Sequence, residues 1–85
     1  MRLVGAAHGR DQMTKDDIRI LIEAGLPGAR VTVTGDDGQH FEAEVVCADF
    51  AGKPPLAQHR MVYATLGERM GRDIHALKLT TKAQA

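Results

Sequence analysis

The sequence predicts a small α+β domain with the element order αββαβ and a three-stranded mixed sheet. Two amphipathic segments with helical spacing and three segments that alternate apolar and polar residues predict the five elements. A short turn rich in glycine and aspartate joins the first two strands, which are therefore expected to be antiparallel. A helix joins the second strand to the third, so these two are expected to run parallel through a right-handed connection.

The composition fits one folded domain in a reducing compartment. Of the 85 residues, 44% are hydrophobic and 26% are charged, which is the ordinary globular range. Eleven Lys and Arg balance eleven Asp and Glu, so no global positive field draws the chain to nucleic acid. The single cysteine, Cys47, cannot form an internal disulfide, and no apolar stretch approaches the length of a membrane span. We therefore expect a cytoplasmic protein without a membrane partner.

The chain divides into one predicted domain and two short termini. Residues 1–12 show no clear period and contain two glycines, which predicts a flexible N-terminal arm. The domain is predicted to cover residues 13–82, and residues 83–85 to form a frayed tail. No internal repeat or low-complexity segment interrupts the domain.

The first helix is expected to begin after Thr14. Thr14 and Asp17 have the spacing of a capping box, in which each side chain accepts a hydrogen bond from the other residue's backbone. Apolar residues then recur at helical spacing. Gly25 suits the left-handed conformation that often follows a helix, so the helix is predicted to end near Ala24.

Residues 30–34 and the run that begins at His40 are predicted to form the hairpin. In the second strand, Phe41, Ala43, Val45 and Cys47 share one face, while Glu42 and Glu44 share the other. This alternation is typical of a sheet with one face in water. Cys47 is therefore predicted to point into the core and to be chemically inert.

The second helix is predicted to begin at Pro55 and to run to about Met70, and the third strand is predicted over residues 74–81. His59 lies in the middle of the apolar arc of this helix. We expect it mainly to pack in the core.

If the second and third strands are neighbours, their starting ends lie side by side, about 4.8 Å apart. His40 begins one strand and His75 begins the other, so both are candidate metal ligands at one rim of the sheet. Cys47 lies about 23 Å along the strand from His40 and cannot join the same site. His59 is a poor third ligand, because its helix begins at the opposite end of the sheet.

The residues alone leave alternatives open at both positions. Strict alternation puts His40 on the face of Glu42 and His75 on the face of Leu77, so convergence requires a bulge or a loop at the strand start. His75 is otherwise a half-buried histidine at a strand edge, and His40 a turn histidine exposed to solvent. Two imidazoles are half of a tetrahedral zinc site, and imidazole also binds iron in some two-iron, two-sulfur clusters. A partner would have to supply the other ligands.

Four motifs lie within residues 40–81. They are His40-Phe41, Phe50-Ala51-Gly52-Lys53, Gln58-His59-Arg60-Met61-Val62-Tyr63 and Ile74-His75-Ala76-Leu77. Together with the αββαβ order, these motifs resemble the BolA family. The resemblance implies a fold similar to a class II KH domain.

The same resemblance implies a non-enzymatic role in iron-sulfur cluster trafficking or iron homeostasis. BolA proteins share a two-iron, two-sulfur cluster with a monothiol glutaredoxin, which supplies a cysteine together with glutathione. The resemblance implies that His75 is one ligand on this side of the complex. His40 best matches the second, which the family takes from the loop after the first strand. Without the cluster we expect a monomer or a weak homodimer.

A second function implied by the resemblance is a KH-like, DNA-binding transcriptional regulator. Candidate contacts with a partner protein or with nucleic acid are His59, Arg60 and Arg69, predicted to lie on or beside the second helix. The family's usual Arg-His-Arg begins with Gln58 here, which removes one positive charge, and the Gly-x-x-Gly loop of KH domains is missing.

An enzyme is the class with the least support. The sequence contains no pattern of a nucleophile with its base, of paired catalytic carboxylates or of a phosphate-binding glycine loop.

Overall fold

A computed structural model of the chain describes residues 13–35, 40–74 and 76–84. The main elements are α1 (Lys15–Gly25), β1 (Arg30–Thr34), β2 (His40–Cys47), α2 (Pro55–Leu66) and β3 (Ala76–Ala83). Short 3₁₀ turns follow β2 and α2, at Ala48–Phe50 and Gly67–Arg69. The predicted arm at 1–12 and the predicted turn residues 36–39 lie outside the described ranges. The αββαβ order is confirmed.

The sheet has the order β1-β2-β3, with β2 in the centre. β1 pairs antiparallel with β2, and β2 pairs parallel with β3. The mixed sheet that the connections predict is therefore confirmed. Within the described ranges, neither helix has the length and apolar character that crossing a membrane requires.

Thr14 caps the first helix as its sequence predicts. The Thr14 hydroxyl accepts a hydrogen bond from the backbone N–H of Asp17 at 3.1 Å, and the Asp17 carboxylate accepts one from the backbone N–H of Thr14 at 3.0 Å. The capping box is complete, so two of the otherwise unpaired N–H groups at the helix start have partners.

The predicted left-handed conformation of Gly25 is wrong. Gly25 is the last residue of α1, and the backbone N–H of Leu26 still donates to Ile22. A Cβ atom at Gly25 would lie 2.5 Å from Cγ2 of Thr65, so the glycine allows α1 to approach α2 closely. A packing requirement, not a turn conformation, explains this residue.

The core lies between one face of the sheet and the two helices. Its most deeply buried residues are Ile18, Ile22, Val45, Cys47, Phe50, Val62, Leu66 and Ile74. Along β2, buried and exposed positions alternate from His40, which is exposed, to Cys47, which is buried. The prediction that Cys47 lies in the core is confirmed.

The opposite face of the sheet is polar and exposed. Lys78 of β3 pairs with Glu42 of β2 at 3.6 Å, and Lys82 pairs with Glu44 at 3.0 Å. The first of these cross-strand ion pairs follows directly from the parallel register, which places Glu42 opposite Lys78. We call this surface the open face.

The second helix is shorter than predicted. α2 ends at Leu66, because Gly67 takes a left-handed φ of +58° and its backbone N–H donates to Tyr63. Met70 therefore lies beyond the helix, where it forms an isolated parallel bridge with Ile74. The prediction of a helix to about Met70 is wrong by one turn.

The third strand begins later and ends later than predicted. It runs from Ala76 to Ala83, and the backbone N–H of Gln84 donates to Cys47 at 3.2 Å. The prediction of a frayed tail is therefore wrong for residues 83 and 84. Ala83 pairs in register with Cys47 at the end of β2, and Gln84 donates to the same residue. Ala85 lies outside the described ranges.

Candidate metal centre

The candidate centre lies at the rim where β2 and β3 begin. His40 and Ala76 are register partners there, and Phe41 and Leu77 are the next pair. This arrangement confirms the parallel neighbours on which the predicted centre depends. His75 itself lies outside the described ranges, so the meeting of its imidazole with that of His40 stays a prediction.

His40 is exposed at the first position of β2. It shares the open face with Glu42 and Glu44, since these positions alternate with the buried residues of the strand. An exposed imidazole on the edge of the rim is accessible to a second protein.

The two residues that flank His75 in the chain are both held in place. Ile74 is fully buried, its backbone N–H donates to Arg69 at 2.9 Å, and its carbonyl accepts from Gly71 at 2.9 Å. Ala76 is held in the sheet by its pairing with His40. Both sequence neighbours of His75 therefore have backbone positions fixed by hydrogen bonds or strand pairing.

Cys47 lies at the other end of β2. Its thiol is free, it is 2% exposed, and it pairs in register with Ala83. The position of Cys47 confirms the prediction that it cannot be a ligand of the candidate centre at the rim. Among the described residues, no group of three or more His, Cys, Asp or Glu side chains is arranged to hold a metal.

The Gln58 side chain forms hydrogen bonds to three segments near the end of the sheet where Cys47 lies. Its amide nitrogen donates to the carbonyl of Lys53 at 2.7 Å and to that of Phe50 at 3.3 Å. Its amide oxygen accepts a hydrogen bond from the hydroxyl of Thr81 on β3 at 2.6 Å. We call this arrangement the Gln58 clamp. Sequence reasoning treated Gln58 only as a lost positive charge and missed it.

The remaining candidate residues lie on two different elements. His59 on α2 is half-buried, so it is less enclosed than the core position that its helical spacing predicts. Arg60 is exposed on α2, whereas Arg69 is exposed in the 3₁₀ turn after the helix. Because α2 ends at Leu66, a continuous basic helix face from Arg60 to Arg69 is excluded.

A family model described as "BolA-like protein" matches residues 17–85. The match covers most of the chain and runs from the first turn of α1 through β3. This chain belongs to the BolA family. The family that the four sequence motifs resemble is therefore confirmed.

Individual relatives agree with this assignment. "Protein BOLA2" of Arabidopsis thaliana is 48% identical over 54 residues, which are 64% of this chain and 56% of the relative. "DNA-binding transcriptional regulator BolA" of Escherichia coli (strain K12) is 38% identical over 52 residues, which are 61% of this chain and 50% of the relative. The aligned part thus spans about half the length of these two relatives.

A solved structure supports the fold. The structure of a BolA protein homologue from Coxiella burnetii superposes with a TM-score of 0.75 and 49% sequence identity, covering 84% of this chain and 91% of that one. The fold of this chain is therefore that of a solved BolA-family structure.

Proposed function

We propose that this BolA-family chain is a non-enzymatic adaptor that shares a two-iron, two-sulfur cluster with a monothiol glutaredoxin, in iron-sulfur cluster trafficking or iron homeostasis. His75 and His40 are its ligands. The observation that carries the proposal is the register of the parallel pair. His40 is paired with Ala76, the residue that follows His75 in the chain.

The ligand count supports a shared cluster. A two-iron, two-sulfur cluster takes four protein-side ligands, and in some proteins two histidines replace the two cysteines on one iron. His75 and His40 would supply two imidazoles, and the glutaredoxin cysteine with the glutathione thiolate would supply two sulfurs. Each side alone is incomplete, which explains why the cluster would need both proteins.

The setting of the rim also supports a shared cluster. His40 is exposed at the edge of the domain, where a second protein can reach it. The anchoring of Ile74 and Ala76 restricts the chain on both sides of His75. Ligands on rigid elements hold a metal more exactly than ligands on free loops.

The test mixes the chain with a monothiol glutaredoxin, iron, sulfide and glutathione, and records the visible absorption of the purified complex. We expect a coloured heterodimer whose spectrum is lost or altered by His75→Ala and altered by His40→Ala. His8→Ala is the control, because His8 is outside both the proposed ligand set and residues 17–85, which the family model matches. An unchanged spectrum for His75→Ala would refute the ligand assignment.

A second candidate function is DNA binding. It is favoured by the name of the Escherichia coli relative, a DNA-binding transcriptional regulator, and by the exposure of Arg60 and Arg69. If this function operates, duplex binding weakens steeply with salt and is lost when both arginines are replaced by alanine. Binding that is independent of salt would count against it.

A further inference from the structure

Gly35 lies directly after β1, against the start of β2. Its φ is +146°, a conformation that L-residues with a side chain rarely adopt. A Cβ atom at this position would lie 2.5 Å from the backbone oxygen of His40 and 2.8 Å from Cδ1 of Phe41. Both distances are shorter than real Cβ contacts, so a side chain at residue 35 would force residue 35 and the start of β2 apart.

The other described glycines with positive φ have no such contact. A Cβ atom at Gly28, Gly52, Gly67 or Gly71 would meet nothing within 4 Å. At these four positions a side chain would strain only the local backbone. At Gly35 a side chain would also clash with the backbone of His40.

We propose that Gly35 is a positioning residue for His40, because the missing side chain allows the end of β1 to pack against the first residue of β2. This inference rests on the proposed function, in which His40 is a cluster ligand. Gly35 itself does not touch the cluster. It acts through the backbone position from which the His40 imidazole extends.

Because the Phe41 ring is held by its packing, a side chain at residue 35 would change the separation between residue 35 and the backbone of His40. Phe41 is 3% exposed, so its ring is enclosed by the core and cannot turn away freely. Moving the His40 oxygen from 2.5 Å to an ordinary contact of 3.4 Å would displace it by about 0.9 Å. Metal–ligand distances tolerate deviations of only about 0.2 Å.

The displacement would also act across the sheet. His40 is the register partner of Ala76, so its movement changes the distance between the starts of β2 and β3. Those two starts carry the proposed ligand pair. A change at residue 35 is therefore expected to alter the cluster without removing either ligand.

The experiment compares Gly35→Ala with two glycine controls in the complex with glutaredoxin, iron, sulfide and glutathione. Gly25→Ala puts a Cβ atom 2.5 Å from Cγ2 of Thr65, an equally short contact that involves a side chain and not the His40 backbone. Gly28→Ala imposes a side chain at a φ of +88° with nothing to strike. We expect the visible spectrum to shift, and the cluster to be lost at least about tenfold faster, with Gly35→Ala alone.

Three results would overturn the inference, and they are distinguishable. If wild-type chain gives no coloured complex, the proposed function fails and the positioning role fails with it. If wild-type chain gives the complex and Gly35→Ala has the same spectrum and cluster lifetime, only the positioning role is wrong. A Gly25→Ala complex altered to the same degree would show that loss of fold stability is sufficient, which also rejects the role.

A second measurement needs no variant, in case Gly35→Ala does not fold. Amide resonances of ¹⁵N-labelled wild-type chain are followed as the cluster complex assembles. We expect the Gly35 resonance to shift or broaden, because it lies against the ligand residue, while Gly28 and Gly52 change little. A Gly35 resonance that is unaffected in the coloured complex contradicts the inference.

Discussion

The two ends of the paired strands β2 and β3 differ in whether a side chain that can bind a metal is exposed or buried. At the rim, His40 is exposed and begins β2 opposite Ala76. At the other end, Cys47 is 2% exposed and its carbonyl accepts a hydrogen bond from Gln84. The same strand, β2, thus exposes an imidazole at one end and encloses a thiol in the core at the other.

The difference arises from the face on which each side chain lies and from the packing beside it. After Cys47 the chain turns into Ala48–Phe50, and the fully buried Phe50 ring closes the core. The Gln58 clamp then fastens this turn to β3. His40 instead lies on the open face, which continues from it along β2. Burial, and not the residue type alone, decides which group can act as a ligand.

The largest expected effect concerns access to Cys47. Because the thiol lies in the core, reagents such as dithiobis(nitrobenzoic acid) must wait for the domain to open. The opening free energy approaches that of global unfolding, about 5 kcal/mol or more, so labelling should be slower by a factor on the order of 10³ or more. The measurement compares the labelling rate of native chain with that of chain in concentrated urea.

Rapid labelling of the native chain would contradict the comparison. It would show that the Cys47 end opens locally while the rest of the domain stays folded. Cys47→Ser supplies the control, because this variant has no thiol and any reaction that it shows is background.

The second effect separates stability from ligand binding. Phe50→Ala removes a fully buried ring and should lower the free energy of unfolding by about 3–5 kcal/mol. His40→Ala changes an exposed side chain and should lower it by less than about 1 kcal/mol. Urea denaturation followed by circular dichroism measures both values. Similar losses at the two positions would mean that the rim is as tightly packed as the buried end.

The parts of this fold that depend on local sequence are the parts that the sequence predicts well. The capping box needs only Thr14 and Asp17, which are three residues apart, and the alternation along β2 needs only neighbouring residues. General rules of chain connection then suffice for the parallel pair and for the position of His40 at the rim.

The parts that escape prediction depend on contacts between distant segments. Gly25 and Gly67 look alike in the sequence. In the structure, Gly25 allows α1 to approach α2, whereas Gly67 ends α2. The Gln58 clamp forms only when a turn, a helix and a strand meet. The contact between Gly35 and His40 likewise requires the paired strands, because no simple sequence motif links the two residues.

A third, smaller effect tests the Gln58 clamp. Gln58→Ala removes hydrogen bonds to Phe50, Lys53 and Thr81, and should lower the free energy of unfolding by about 1–3 kcal/mol. Amide exchange should also become faster in residues 50–53. Gln84→Ala is the control, because the bond from Gln84 to Cys47 is made by its backbone and survives the change.

A cycle with Thr81→Val isolates one bond of the clamp. The coupling energy between Gln58 and Thr81 should be about 0.5–1.5 kcal/mol, in the range of a single hydrogen bond. A coupling near zero would mean that the clamp does not hold β3. Burial of Phe50 alone would then account for the packing at the Cys47 end of the sheet.

The smallest effect concerns the open face near the rim. Lys78 and Glu42 form an ion pair at 3.6 Å, and their side chains are 78% and 64% exposed. Such a pair is screened by water, so a double-mutant cycle with Lys78→Gln and Glu42→Gln should give a coupling of only about 0.2–1 kcal/mol. The coupling should fall further at about 1 M salt, where the screening length is roughly 3 Å. A coupling that persists at high salt would show that the open face is shielded from water. The two ends of the sheet would then differ less in solvent exposure than the burial of Cys47 suggests.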